Sequence, residues 1–112
     1  LFKQQGFMVF IPIDKGDTMK LLTKELENKL PKLYETEEQK DKVVQAKFFS
    51  PFSSWTWYAI EYDQEKELFF GAVDGDFFEL GYFSLRELEN NEIERDIYFE
   101  PKLLSEIQFQ GQ

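Results

Sequence analysis

A chain of 112 residues has room for one domain, and its 42% hydrophobic content, with thirteen Phe, five Tyr and two Trp, supplies the apolar area of a core. Its apolar runs fall short of the ~18 residues of a membrane span, and with neither Cys nor His it lacks disulfides, thiolate and imidazole catalysis and the commonest transition-metal ligands. Thirteen basic against 22 acidic residues leave a net charge of −9, which disfavours direct binding of nucleic acid.

Residues 1–18 begin without Met and differ in character from the rest of the chain. Lys15-Gly16-Asp17-Thr18 can be encoded by a stretch containing a bacterial ribosome-binding sequence, so Met19 is the expected natural start and 1–18 a translated leader. The other reading makes residues 7–13 an edge strand marked by Pro12. Residues 19–112 are the expected domain. Thr23 is placed to cap a helix over about 24–30 that carries Leu26 and Leu30, with Leu33 beyond Pro31. A charged loop comes next, over 35–42. Four strand-like runs, about 43–50, 55–62, 67–73 and 77–83, are rich in Val, Ile and rings and separated by turn residues. In the third turn, Asp74-Gly75-Asp76, Gly75 is free to take positive φ. Ser84-Leu85-Arg86-Glu87 is a capping-box pattern for a short helix, and 93–99 reads as a fifth strand ended by Pro101. The expected fold is therefore α+β: an antiparallel meander of four to five strands, an N-terminal helix on one face and a second short helix.

Short turns set a register. It places Phe48, Trp57, Ala72 and Phe78 in one row, and Ala46, Ala59, Phe70 and Leu80 in the next, as a dry face beneath the first helix. The opposite face would then carry Lys47, Tyr58, Tyr62, Phe69 and Glu79, a wetter mixture of rings and charges.

Residues 61–112 hold four basic and fourteen acidic groups, a net −10, whereas 1–60 are nearly balanced. That asymmetry suits solubility, and it equally suits steering toward a basic protein partner. Lys47, Tyr58, Tyr62, Phe69 and Glu79, with Trp55 at an edge and Glu87, Glu94 and Asp96 alongside, compose a candidate protein-binding patch. Asp74, Asp76 and Glu79 are the tightest carboxylate group, the basis of a rival reading as a small metal-dependent or carboxylate-based hydrolase. Yet Asp-Gly is ordinary hairpin chemistry, and the calcium-loop spacing is missing. Trp55 with Tyr58 would serve a carbohydrate or small-molecule binder. No nucleophile elbow, phosphate loop or dinucleotide fingerprint is present. The expectation is a cytoplasmic, non-enzymatic binding protein with no catalytic residues, metal or cofactor and no membrane contact.

Several stretches resemble one family across about residues 19–106: Met19-Lys20-Leu21-Leu22-Thr23-Lys24-Glu25, Ser53-Ser54-Trp55-Thr56-Trp57-Tyr58-Ala59, Phe69-Phe70-Gly71 and Val73-Asp74-Gly75. Glu79-Leu80-Gly81-Tyr82-Phe83-Ser84, Leu88-Glu89 and Ile93-Glu94-Arg95-Asp96-Ile97-Tyr98-Phe99-Glu100-Pro101 complete the pattern. The chain resembles the bacterial domain of unknown function 2958, with a shorter loop than usual after Glu89. The resemblance implies no activity and no catalytic residues. It implies a setting: such proteins are commonly encoded on plasmids, conjugative elements and phages, often near anti-restriction genes.

Overall fold

The computed structural model describes residues 20–107; the leader reading, Met19 and the possible strand over 7–13 lie outside them. Helix α1 (Lys24–Lys29) starts where Thr23 Oγ1 accepts the Leu26 N–H at 3.1 Å. It stops at Leu30, whose extended backbone is what a residue before proline requires. Strands β1 (Val43–Val44), β2 (Ala46–Phe49), β3 (Thr56–Asp63), β4 (Leu68–Asp74) and β5 (Phe78–Ser84) come next, then helix α2 (Leu85–Asn90). Strands β6 (Glu94–Arg95) and β7 (Lys102–Leu103) and a 3₁₀ turn (Leu104–Glu106) complete the described chain. The five-stranded sheet runs β5-β4-β3-β2-β6, all antiparallel, and β1 pairs with β7 apart from it. The architecture is the expected α+β meander. The fifth strand is shorter than expected: Glu94 and Arg95 pair with β2, and the Asp96 N–H adds one bond to the Lys47 carbonyl at 2.9 Å. No described helix is long and apolar enough to cross a membrane.

The first hairpin has the expected register, Ala46 opposite Ala59 and Phe48 opposite Trp57. The second does not. Glu67 takes a left-handed backbone, φ 53°, and so belongs to the turn rather than to β4; Asp63 pairs with Leu68. A bulge between Ala59 and Glu61 then shifts the pairing again, so that Trp57 faces Val73 rather than Ala72. Since side chains alternate along a strand, this odd slip exchanges the faces of β4 and β5 relative to β3. The third hairpin slips by two, Gly71 opposite Gly81, which leaves faces unchanged. Gly75 is needed for its size: a Cβ there would lie 2.7 Å from the Trp55 ring. The expected use of positive φ at Gly75 is not made.

The result corrects the expectation of one dry and one wetter face. On the first face Ala46, Phe48, Ala59, Tyr62, Phe69 and Phe83 pack beneath Leu21, Leu30, Leu85, Leu88 and Ile93, with Leu26 and Trp57 half-buried against them. Leu33, expected in this layer, lies outside it in the turn after α1. On the second face Val44, Tyr58, Ile60 and Ala72 are buried, with Phe70 and Phe78 beside them and Phe99, Leu104 and Ile107 packed on top. The C-terminal segment, weakly apolar in sequence, supplies that second cover. The bulge also turns Glu61 inward. Its carboxylate accepts the N–H groups of Tyr34 and Thr36, at 2.8 and 2.9 Å, and the Thr36 hydroxyl. A buried carboxylate is tolerable when its lone pairs are filled in this way, and here it pins the charged loop to the sheet.

Candidate functional site

A groove of about 540 Å³ opens on the first face between the β2–β3 turn and α2. Ser50, Phe52 and Ser53 form one wall; Glu87, Leu88 and Asn91 form the other; Trp55, Trp57 and Phe83 make the floor. The turn is built by local bonds. Ser50 donates its N–H to the Trp55 carbonyl at 3.1 Å, the Ser50 hydroxyl accepts the Phe52 N–H, and the Ser53 hydroxyl accepts the Trp55 N–H. These bonds hold the Phe52 ring outward, 71% exposed, where an apolar side chain gains nothing from the fold. Trp55 is seated on Gly75 and tilted 43° against Trp57, ring centres 6.0 Å apart. The facing wall is fixed at its start by Ser84, whose Oγ accepts the Glu87 N–H at 3.0 Å, and at its end by Asn91, whose amide donates to the Glu87 carbonyl. Glu87, Glu89, Glu92 and Glu94 are all exposed; Glu87 lines the groove, Glu92 lies between the lining residues Asn91 and Ile93, and Glu89 acts on Tyr62 instead.

A second cleft, about 440 Å³, lies on the other face and is lined by Lys47, Tyr58, Asp96, Tyr98, Phe99 and Lys102 among others. It holds one ion pair and one contact of a cation with a ring. Lys47 lies 3.8 Å from Asp96, and Lys102 sits 5.5 Å from the centre of the Phe99 ring. Burial, with a smaller contribution from the Asp74 carboxylate, raises the Tyr58 phenol above its ordinary pKa, so it is a neutral hydrogen-bonding group at physiological pH.

The expected binding patch is therefore divided. Trp55 and Glu87 line the groove, whereas Lys47, Tyr58 and Asp96 line the second cleft. Glu94 is exposed on β6, and Glu79 is exposed on β5 opposite Val73. Tyr62 and Phe69 are core residues of the first face, Phe69 with no exposure at all, because the slipped second hairpin carries them inward. Trp55 and Tyr58 do not share a site, as a carbohydrate platform of that pair would need. Nor do the three carboxylates of the hydrolase reading converge. Asp74 is fully buried on the second face, Glu79 is exposed on the first, and Asp76 projects from the turn. Among the described residues no group of three or more acidic side chains is arranged to hold a metal ion. Phe52 and Asn91 are not among the sequence candidates. An aromatic ring inside a Ser-Pro-Phe-Ser-Ser turn is the available signal for Phe52, since turns seldom bury a ring.

A family model described as "Protein of unknown function (DUF2958)" matches residues 21–107. The chain belongs to the DUF2958 family. Comparison with curated proteins and with solved structures gives no match. In this DUF2958 chain the match takes in both groove walls, the second cleft and every described strand.

Proposed function

We propose that this protein is a small, non-enzymatic protein-binding module whose Trp55 groove takes apolar side chains from a basic segment of its partner. The observation that carries the reading is the pairing of exposed or half-buried rings, Phe52, Trp55 and Trp57, with a facing wall that bears Glu87 and is followed in the chain by the exposed Glu92 and Glu94. Aromatic anchors beside carboxylates serve a partner with apolar contact residues and Lys or Arg at the rim. The net −10 of residues 61–112 adds a long-range attraction for such a partner. The family resemblance suggests the setting. On plasmids, conjugative elements or phages, the fitting partner is a basic host defence or DNA-processing protein, met in the cytoplasm and inhibited or modulated by occupation of its basic surface.

The test is capture from lysate of the native host, on the wild-type protein and on Trp55→Ala, at low salt and at about 1 M salt, where charges are screened within ~3 Å. A basic protein held by the wild type at low salt, released at high salt and not held by Trp55→Ala supports the proposal. Retention indifferent to both changes overturns it.

A further inference from the structure

Among the described residues strand β5 is an outer edge of the five-stranded sheet, and its protections are slight: one charged side chain, Glu79, and a side-chain bond between Tyr34 and Tyr82. Its seven residues pair with β4 without a bulge and contain neither Lys nor Pro. The bonds at the two ends of the hairpin show which of its groups face outward. Gly75 donates to the Phe77 carbonyl and Leu85 to the Glu67 carbonyl, both on the register that joins Gly71 to Gly81. Odd-numbered residues of β5 therefore bond to β4, and the N–H and C=O groups of Leu80 and Tyr82 point away from the sheet. Among the described residues no protein group meets them. Their side chains are each 52% exposed on the second face, in line with the half-buried Phe78. Glu79 stands exposed on the first face, and Asp76 is exposed at the start of the strand. Glu37 lies near Tyr82: it is one of the carboxylates that, after the hydrogen bond with the Tyr34 side chain and burial, raise the Tyr82 phenol above its ordinary pKa.

We infer that β5 accepts an extended segment of a partner protein as a sixth strand, one whose residues alternate between apolar and basic. The outward main-chain groups of Leu80 and Tyr82 supply the ladder bonds. Apolar side chains of the incoming strand lie beside Leu80 and Tyr82, and its Lys or Arg side chains lie beside Glu79, within reach of Asp76. A second copy of this chain fits less well, because each copy would bring a net charge of −9 to the contact. The inference uses residues distinct from the groove and stands or falls separately from it.

The probe is an end-capped synthetic heptapeptide, Lys-Val-Lys-Val-Lys-Val-Lys, with a Glu-Val counterpart as control, titrated into uniformly labelled protein and followed by backbone amide spectra and hydrogen exchange. The Lys-Val peptide should slow exchange at the Leu80 and Tyr82 amides, and the Glu-Val peptide should not. Leu80→Pro removes an outward donor that bonds nothing within the protein and should weaken the Lys-Val peptide roughly fivefold or more. Should that variant not fold, Glu79→Lys, a change at an exposed side chain, should reverse the preference between the two peptides. Perturbation of the Trp55 and Trp57 resonances with β5 untouched would sink the edge and leave the groove standing. No binding at all, or a free protein that sediments as a dimer with β5 already protected, would sink the edge equally.

Discussion

The two faces of the sheet are covered by different means, and the difference decides where apolar side chains stay exposed. The first face is sealed by side chains from both helices over a continuous ring stack: Phe69 lies 5.4 Å from Phe48, 4.6 Å from Tyr62 and 5.2 Å from Phe83, centre to centre. The second is covered by the C-terminal segment, with Phe99 resting 6.5 Å from Tyr58. The first cover buries large rings completely and leaves one corner open, the groove at Trp55. The second cover, over the described residues, reaches Phe78 of the outer strand but leaves Leu80 and Tyr82 exposed. The largest buried rings are thus concentrated on one face, while the exposed apolar side chains of the groove and of β5 lie at the margins of both covers.

The largest effect should come from breaking that inequality directly. Phe69→Ala removes a fully buried ring from the centre of the stack and should cost about 3–5 kcal/mol, a large fraction of what a domain of this size possesses. Phe99→Ala removes a half-buried ring from the second cover and should cost about 1 kcal/mol. Urea midpoints for the two variants measure the difference. Equal losses would mean that the two layers contribute alike.

Two irregularities determine how much of this arrangement is legible in the residues. The first hairpin is legible because its turn is short and β2 meets β3 without interruption over the four pairs from Ala46 to Phe49. Past it, the register slips twice, and one of the two slips is odd. Nothing in Asp63-Gln64-Glu65-Lys66-Glu67 announces that Glu67 will adopt a left-handed backbone and lengthen the turn, because Gly or Asn is the usual occupant of that conformation. The bulge beside Ile60 has no glycine on its own strand; its mark is Gly71 across from Ala59, where a Cβ would run into the Tyr58 carbonyl, and a lone glycine inside a strand does not say which way the register slips. The longer turn slips the pairing by two and leaves the faces alone; the bulge slips it by one and exchanges them, so Tyr62 and Phe69, which the unbroken register assigns to a binding surface, lie in the core. The surface placement of Trp55 and Glu87 is legible because neither depends on that register: one sits at the first turn, the other on a capped helix. The cover supplied by Phe99, Leu104 and Ile107 is not legible, since no helical or strand periodicity orders those residues.

Tyr62 and Tyr58 sharpen the same contrast through pH. Tyr62 is buried on the first face, and burial, followed by the carboxylates of Glu67, Glu27, Glu89 and Asp63, pushes its phenol up to about 12. The unfolded chain gives up that proton near 10, so above pH 10 the folded state binds more protons than the unfolded one and stability falls. The stabilisation is complete below pH 10 and is lost as pH rises through about 12. Tyr58 shifts in the same direction. In urea titrations from pH 9 to about 12, Tyr62→Phe should flatten the alkaline decline. An unchanged slope would place the responsible phenol elsewhere.

The smallest effect concerns the helix that covers the first face and walls the groove. Helix α2 ends with the Ile93 N–H bonded to the Leu88 carbonyl at 3.1 Å, which requires Glu92 to turn left-handed, φ 59°. Glycine occupies that position without the clash between Cβ and backbone that a glutamate carries, a difference of about 1 kcal/mol. Glu92→Gly should therefore raise stability by about that amount, although it removes a side chain and adds no contact. Asn91 and Ile93, on either side of it, both line the groove, so the variant should also slow amide exchange in the last turn of α2. Because the effect acts through the cover and not through the sheet, Glu92→Gly and Phe99→Ala should add when combined. A clear departure from additivity would show that the two covers are coupled through the strands between them.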